Sequence, residues 1–277
     1  MLDFATLSRG DLNAVTNVIE TLTDVSALDP AQIMIVGAEC RNILHAAQGH
    51  AFLLRSTSDL DIGIALPDWV VFNDLAARLT PIRSSSRIRY LVGDIAVDLL
   101  PFGDVEEPSG TVTPPRRNSA LRVPAFTEVF DRALVLPLPN DRNVRIPSPA
   151  GYAALKMYAW VERSLNFDDR DAADLATVTY WYQESAHVRN RLYDTAEGRE
   201  LLADAELDLV LASAMLLSHD VAHEIGSDRT QELKAAWSQT DLDYLASSFG
   251  HETLPGWPSD RRRRKSVVDC LGCAIVA

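Results

Sequence analysis

Arg55-Ser56-Thr57-Ser58-Asp59-Leu60-Asp61-Ile62-Gly63-Ile64 is the stretch that decides how this chain is read. From Asp59 to Leu66 apolar residues alternate with acidic or small ones. That pattern predicts a strand, which Pro67 stops. Side chains on a strand alternate between faces, so Asp59 and Asp61 point one way and Leu60, Ile62 and Ile64 point the other, into a core. Gly63 and Ala65 come next on the carboxylate side, and their small size leaves room there for a bulky ligand. Two acids about 6–7 Å apart along one face repel unless a cation sits between them. Mg²⁺ is the natural choice, a hard ion that takes carboxylates and substrate phosphates together; Mn²⁺ is its usual substitute.

A third acid lies in Ile95-Ala96-Val97-Asp98-Leu99-Leu100, flanked by apolar residues on both sides. A charge in such a run is expensive to bury without a partner. If this strand neighbours the first, Asp98 joins Asp59 and Asp61, and three carboxylates can hold two Mg²⁺ about 4 Å apart for in-line attack on a phosphate. The plainer alternative makes Asp59 a turn residue and Asp98 an edge-strand charge. The order of elements argues for the metal site: an apolar strand, a glycine, a helix, Asp-x-Asp on a strand, then a lone Asp on a later apolar strand.

Working outward, Leu12, Val15, Val18, Ile19 and Leu22 at helical spacing predict a helix over Asp11–Val25, which Asp29-Pro30 separates from the strand Ile33–Val36. Gly37 ends that strand, and a helix is expected from Glu39 to Ala47. Further on, a helix over Val70–Leu79 precedes strands over Arg87–Val92 and Ile95–Leu100, joined at Gly93-Asp94 and ended by Pro101-Phe102-Gly103. Residues 103–118 are rich in Pro, Gly, Ser and charge and read as a long loop; short strands and turns are expected as far as Arg145. After Pro147 the pattern becomes helical as far as Gly250. Ser148-Pro149 is a suitable start, with Ser as N-cap and Pro at the first position. The expected organisation is α+β: a mixed sheet with flanking helices over residues 1–146, a helical bundle over 147–254 and a loose tail over 255–277.

The 277 residues, 47% hydrophobic, can bury a substantial core. The net charge of −13 is opposite in sign to that of most proteins that grip nucleic-acid backbones non-specifically. Arg83, Arg87 and Arg89, like Arg116, Arg117 and Arg122, read as solvated basic surface. No apolar stretch reaches bilayer length and no signal pattern opens the chain, so a cytoplasmic protein without a membrane partner is expected. Cys40, Cys270 and Cys273 form no disulfide framework, and Cys270-x-x-Cys273 is half a zinc site at best. His219 and His223 have zinc spacing, but Asp220 stands where the metalloprotease pattern needs Glu; a solvated helix face is the default. Neither a P-loop nor a Gly-x-Ser-x-Gly elbow occurs.

On the helical stretch, Tyr152, Leu155 and Ala159 share one side, with Lys156 near Trp160 and Arg163 on the neighbouring stripe. Lys156 reads equally as a snorkelling surface lysine. Asp171 and Asp174 share a helix face, and first-turn acids are also ordinary helix-start chemistry.

Val36-Gly37-Ala38, Thr57-x-Asp59-Leu60-Asp61 and Val97-Asp98-Leu99, followed by Lys156 with Arg163 and by Arg170-Asp171-x-x-Asp174-Leu175, together resemble the nucleotidyltransferase superfamily that includes DNA polymerase β. More narrowly the pattern resembles the AbiEii/MenT group of nucleotidyltransferase toxins of bacterial toxin–antitoxin and phage-defence systems. The resemblance implies a polymerase-β-like core and a role for each motif residue. Gly37 would let the backbone approach a nucleoside triphosphate, with Ala38 and the helix start beside it. Asp59, Asp61 and Asp98 would bind Mg²⁺, Asp98 also activating the attacking hydroxyl. Lys156 would pair with the triphosphate, and Asp171 or Asp174 would orient Lys156 or contact base or acceptor. Many members have Gly-Ser where this chain has Gly37-Ala38, so Arg41, Ser56, Thr57 and Ser58 are the candidates for the missing phosphate contact. The implied activity is transfer of a nucleotidyl group from an NTP, with release of pyrophosphate. The implied acceptor is the 3′ end of tRNA, and an antitoxin protein the implied partner. A small-molecule acceptor, as in antibiotic-modifying enzymes, and a catalytically silent binding module are the alternatives.

Overall fold

The computed structural model describes residues 2–55, 59–83, 88–115, 117, 119–251 and 254–276. The expectations placed on Ser56, Thr57, Ser58, Arg87, Arg116 and Asn118 lie outside the described residues. The chain forms two compact units, Leu2–Ser148 and Pro149–Ala277.

In the first unit α1 (Arg9–Val25) starts two residues ahead of the apolar pattern. Ser8 and Asp11 fix that start as a reciprocal capping box, Ser8 Oγ accepting from the Asp11 N–H and the Asp11 carboxylate from the Ser8 N–H. Its apolar stripe, Leu12 to Leu22, is buried. The fully buried β1 (Ile33–Val36) passes directly into α2 (Gly37–Ala47), which begins at the glycine rather than at Glu39. Then come β2 (Asp59–Leu66), α3 (Val70–Arg78), β3 (Thr80–Pro81), β4 (Arg89–Val92), β5 (Ile95–Gly103), β6 (Thr111–Val112), β7 (Leu121–Arg122), α4 (Phe126–Arg132), β8 (Leu134–Pro137) and β9 (Asn143–Ile146).

Among the described residues the main sheet has seven strands in the order β3-β4-β5-β2-β1-β9-β8. It is mixed: β1 runs antiparallel to β2, β2 parallel to β5 and β1 parallel to β9. The protein is thus α+β with a mixed sheet. β5 outruns its expected end, because Pro101, Phe102 and Gly103 keep pairing with Ile64, Ala65 and Leu66 of β2. Pairing with β4 stops at Asp98, so the missing N–H of Pro101 falls beyond that ladder.

The expected long loop after Gly103 is largely organised by one carboxylate. Glu106 accepts from the Gly103 N–H at 3.0 Å, the Gly110 N–H at 2.5 Å and Thr127 Oγ1 at 2.9 Å. β6 and β7 form a small second ladder beyond it. The helix α4 appears where only strands and turns were expected; Phe126 and Phe130 on it pack against Phe102, with ring centroids 5.6 and 5.4 Å away.

The second unit is helical: α5 (Pro149–Arg163), α6 (Arg170–Glu184), α7 (Ala186–Asp194), α8 (Ala196–Asp204), α9 (Leu209–Trp237), α10 (Leu242–Ser248), α11 (Arg261–Leu271) and α12 (Cys273–Val276). The supposed loose tail is α11 and α12. Asp260 caps α11 by accepting from the Arg263 N–H, and Val267, Val268, Leu271 and Ile275 are buried. The basic run 261–265 is therefore a helix start held by carboxylates and carbonyls: Arg263 meets Asp208, and Arg264 donates to the carbonyls of Ala246, Pro258 and Ser259. The spacing of Val267, Val268 and Leu271 carried that helix, but the charge run masked it. No helix among the described residues is long and apolar enough to cross a membrane.

Candidate active site

Strand register builds the site. In the parallel pair of β2 and β5, Asp61 lies opposite Asp98, and Asp59 opposite Ala96. Paired residues share a face, so all three carboxylates project from the same side of the sheet, away from the buried Leu60, Ile62, Val97 and Leu99. The same row continues on both sides. Arg89 of β4 faces Asp98, and Val36 of β1 faces Asp61. Arg89, Asp98, Asp61 and Val36 thus form one line across four strands, with Gly37 immediately after Val36.

Gly37 has φ 65°, a conformation glycine adopts without strain. A Cβ built there would lie 2.0 Å from Asp61 Oδ2, so Asp61 is seated against the first residue of α2. The N-cap of that helix is Val36, which offers no side-chain acceptor. The backbone donors at this helix start and the Asp61 carboxylate therefore share one place.

Directly opposed carboxylates are unfavourable, and Arg89 answers this. Its Nη2 donates to Asp59 Oδ2 at 2.6 Å and to Asp98 Oδ2 at 2.7 Å, while Nε donates to Asp98 Oδ1 at 2.9 Å. The hydrogen bonds and charge of Asp98, joined by Asp59, raise the Arg89 pKa above its ordinary value against the opposing effect of burial. Sequence reasoning left Arg89 in a solvated basic cluster. The two-residue Gly93-Asp94 turn held the missing signal, since counting back from Val92 opposite Ile95 puts Arg89 opposite Asp98.

The room expected beside Gly63 is filled. A Cβ on Gly63 would lie 3.1 Å from Phe102 Cε1, so an aromatic ring, not a ligand, covers that part of the face. Arg41 is buried, with Nη2 donating to the Arg55 carbonyl at 2.5 Å and to Asn42 Oδ1 at 3.1 Å. It ties α2 to the chain leading into β2, instead of presenting a guanidinium for phosphate as the sequence suggested. Beside it His45 Nε2 lies 3.0 Å from the Phe52 carbonyl, and burial lowers its pKa to about 4.

The helical unit gathers a separate charged group. Lys156 Nζ lies 2.6 Å from Asp174 Oδ2 and 3.3 Å from Asp171 Oδ1, and Arg163 Nη1 contacts both Asp171 oxygens at 2.9 and 3.1 Å. Asp171 and Asp174 are 0% and 1% exposed, which separates them from ordinary first-turn acids. Burial lowers the Lys156 pKa, but Asp174 and Asp171 more than reverse this, and the net shift is upward. Lys156 is thus an ammonium held by two buried carboxylates, not a snorkelling surface lysine.

Cys270 is a free thiol whose pKa burial raises to about 11, and burial raises that of Cys273 as well. Asp220, between the two histidines, is bound by Arg191 and Tyr182. Among the described residues no three His, Cys, Asp or Glu side chains are gathered as a ready metal cluster. The row still fits a hard divalent cation by its chemistry. Asp59, Asp61 and Asp98 on this face offer carboxylate oxygens, and two of these, from Asp59 and Asp98, already converge on one cationic nitrogen of Arg89. No family model, curated protein or solved structure compared with this chain matches it.

Proposed function

We propose that this protein is a Mg²⁺-dependent nucleotidyltransferase with a polymerase-β-like core, moving NMP from an NTP to an acceptor hydroxyl. The observation that carries this reading is the row of Asp59, Asp61 and Asp98 on adjacent strands, with Asp61 against Gly37 at the start of α2. Asp59, Asp61 and Asp98 would hold the metal. Bound there, Mg²⁺ would neutralise phosphate charge and favour ionisation of the attacking hydroxyl. Gly37 leaves the backbone bare at the start of α2, and a helix start favours a phosphate. Asp98, at the junction of β4, β5 and β2, is the group to take the acceptor's proton. Lys156, kept charged by Asp174 and Asp171, is the cation that the family pattern pairs with triphosphate. The same pattern supplies the acceptor, the 3′ end of tRNA, and a toxin role in the cytoplasm opposed by an antitoxin.

The test is to incubate the protein with each α-labelled NTP, Mg²⁺ and one acceptor class at a time: total tRNA, aminoglycosides or other hydroxylated small molecules, and the protein itself. Label on tRNA, lost in Asp61→Asn and Asp98→Asn, supports the full reading. Label on a small molecule keeps the chemistry and replaces the acceptor. Label transferred equally by wild type and Asp61→Asn assigns the chemistry to another site and ends the proposal.

A further inference from the structure

Arg89 stands where a metal-binding site should be least crowded with positive charge. Its guanidinium makes three hydrogen bonds to Asp59 and Asp98, two of the three carboxylates in the row. The contacts are built in by the fold: the β4–β5 turn sets Arg89 opposite Asp98, and Asp59 is two residues from Asp61 on the neighbouring strand. The side chain is 31% exposed, so one side remains open to water and it has somewhere to go. A fork-shaped, permanently charged donor suits a carboxylate pair and a phosphate equally well.

We propose that Arg89 is a tethered counter-ion that competes with the divalent cation for Asp59 and Asp98, setting how much metal the site needs before it fills. This rests on the three carboxylates being the metal site. The guanidinium relieves the repulsion between the Asp59 and Asp98 carboxylates on adjacent strands. A divalent cation must take oxygens from it, and each oxygen taken breaks a charge-assisted hydrogen bond. The displaced guanidinium remains tethered beside the same row. Fold stability and metal demand are therefore coupled through one side chain: removing its charge lowers stability in the absence of metal and makes the site easier to fill.

The test is Mn²⁺ binding to the full chain, read from the fall in the free-ion electron paramagnetic resonance signal, with thermal melts in EDTA and in Mn²⁺ for every variant. Arg89→Gln is expected to bind Mn²⁺ about tenfold more tightly than wild type, the order expected for loss of one charge-assisted competitor. It should melt lower than wild type in EDTA and recover in Mn²⁺. Arg89→Lys keeps the charge and is expected to stay within about threefold of wild type. Asp98→Asn controls for the site and should lose binding. If Arg89→Gln fails to fold, Arg89→Lys and Arg89→Met carry the comparison, Met keeping bulk without charge. Wild type binding, Asp98→Asn not binding, and unchanged or weaker affinity in the charge-removed variants would overturn the role of Arg89 and leave the carboxylate site standing. Equal binding by wild type and Asp98→Asn, or none by either, would overturn both.

Discussion

At the scale of single residues, Gly37 is where backbone and chemistry are most tightly joined. Its φ of 65° and the 2.0 Å separation between a notional Cβ and Asp61 Oδ2 mean that no side chain fits without moving that carboxylate. Gly37→Ala should lower stability by about 1–2 kcal/mol from the backbone alone. It should also abolish transfer in molecules that still fold, checked by urea unfolding beside the label assay. Asp61→Asn and Asp98→Asn should lower transfer by about 10²–10³-fold or more, as expected for lost stabilisation of developing charge, with folding retained. Asp59 and Asp61 were legible as a pair because strand alternation puts both on one face, and Asp98 because a lone charge in an apolar run needs a partner; the β2–β5 register brings the three to one face. Arg89 was not, because a basic residue in a charged neighbourhood looks like surface until the hairpin register is counted. Arg41 misled for the opposite reason: its type suits phosphate, and only three-dimensional packing shows it buried against the Arg55 carbonyl.

At the scale of elements, the strands β1, β2 and β5 were readable from apolar runs and their stops, whereas α4, the extension of β5 and α11 were not. α4 is seven residues long, too short for a clear helical period. Pro101 reads as a terminator until the sheet shows which neighbour its missing N–H faces. Glu106 makes a testable hinge between these elements, since it binds two backbone N–H groups and Thr127. Glu106→Ala leaves those donors without their acceptor and should cost about 1–3 kcal/mol in urea unfolding. α2 gives a pH prediction. Buried His45 has its pKa lowered to about 4, chiefly by burial, against about 6.5 in the unfolded chain. Between those values the unfolded state binds more protons, so the contribution of His45 to stability is full above pH 6.5 and falls as the pH drops towards 4, by up to about 1.4 kcal/mol per unit. Unfolding free energies of His45→Gln, whose amide can still donate to Phe52, should fall less steeply than wild type across that window.

For the whole molecule, sequence reading captured the succession of a mixed α/β part and a helical part, because the hydrophobic period changes from two to 3.6 near Pro147. It could not supply the sheet order, which depends on pairings between strands far apart in the chain. In the helical unit, Lys156, Asp171 and Asp174 form a buried charge group that the more exposed Arg163 joins; helical spacing showed which residues share a face, but not that the two helices bring them together. Lys156→Met leaves Asp174 without that cation in a place that is 1% exposed. It should destabilise by about 3–5 kcal/mol, as removal of one partner of a buried pair does, whereas a surface lysine would stay within about 0.5 kcal/mol. A loss of transfer in Lys156→Met therefore speaks for a phosphate role only where a melt shows the protein still folded.

Whether the carboxylates and the start of α2 form one metal and triphosphate site is decided by anomalous diffraction from crystals of the protein soaked with Mn²⁺ and a non-hydrolysable nucleoside triphosphate. The expected result is an anomalous peak coordinated by Asp61 and Asp98, phosphate density at the start of α2 beside Gly37, and Arg89 released from Asp98. Triphosphate bound elsewhere, with Arg89 still bridging Asp59 and Asp98 and no peak at the row, would contradict it.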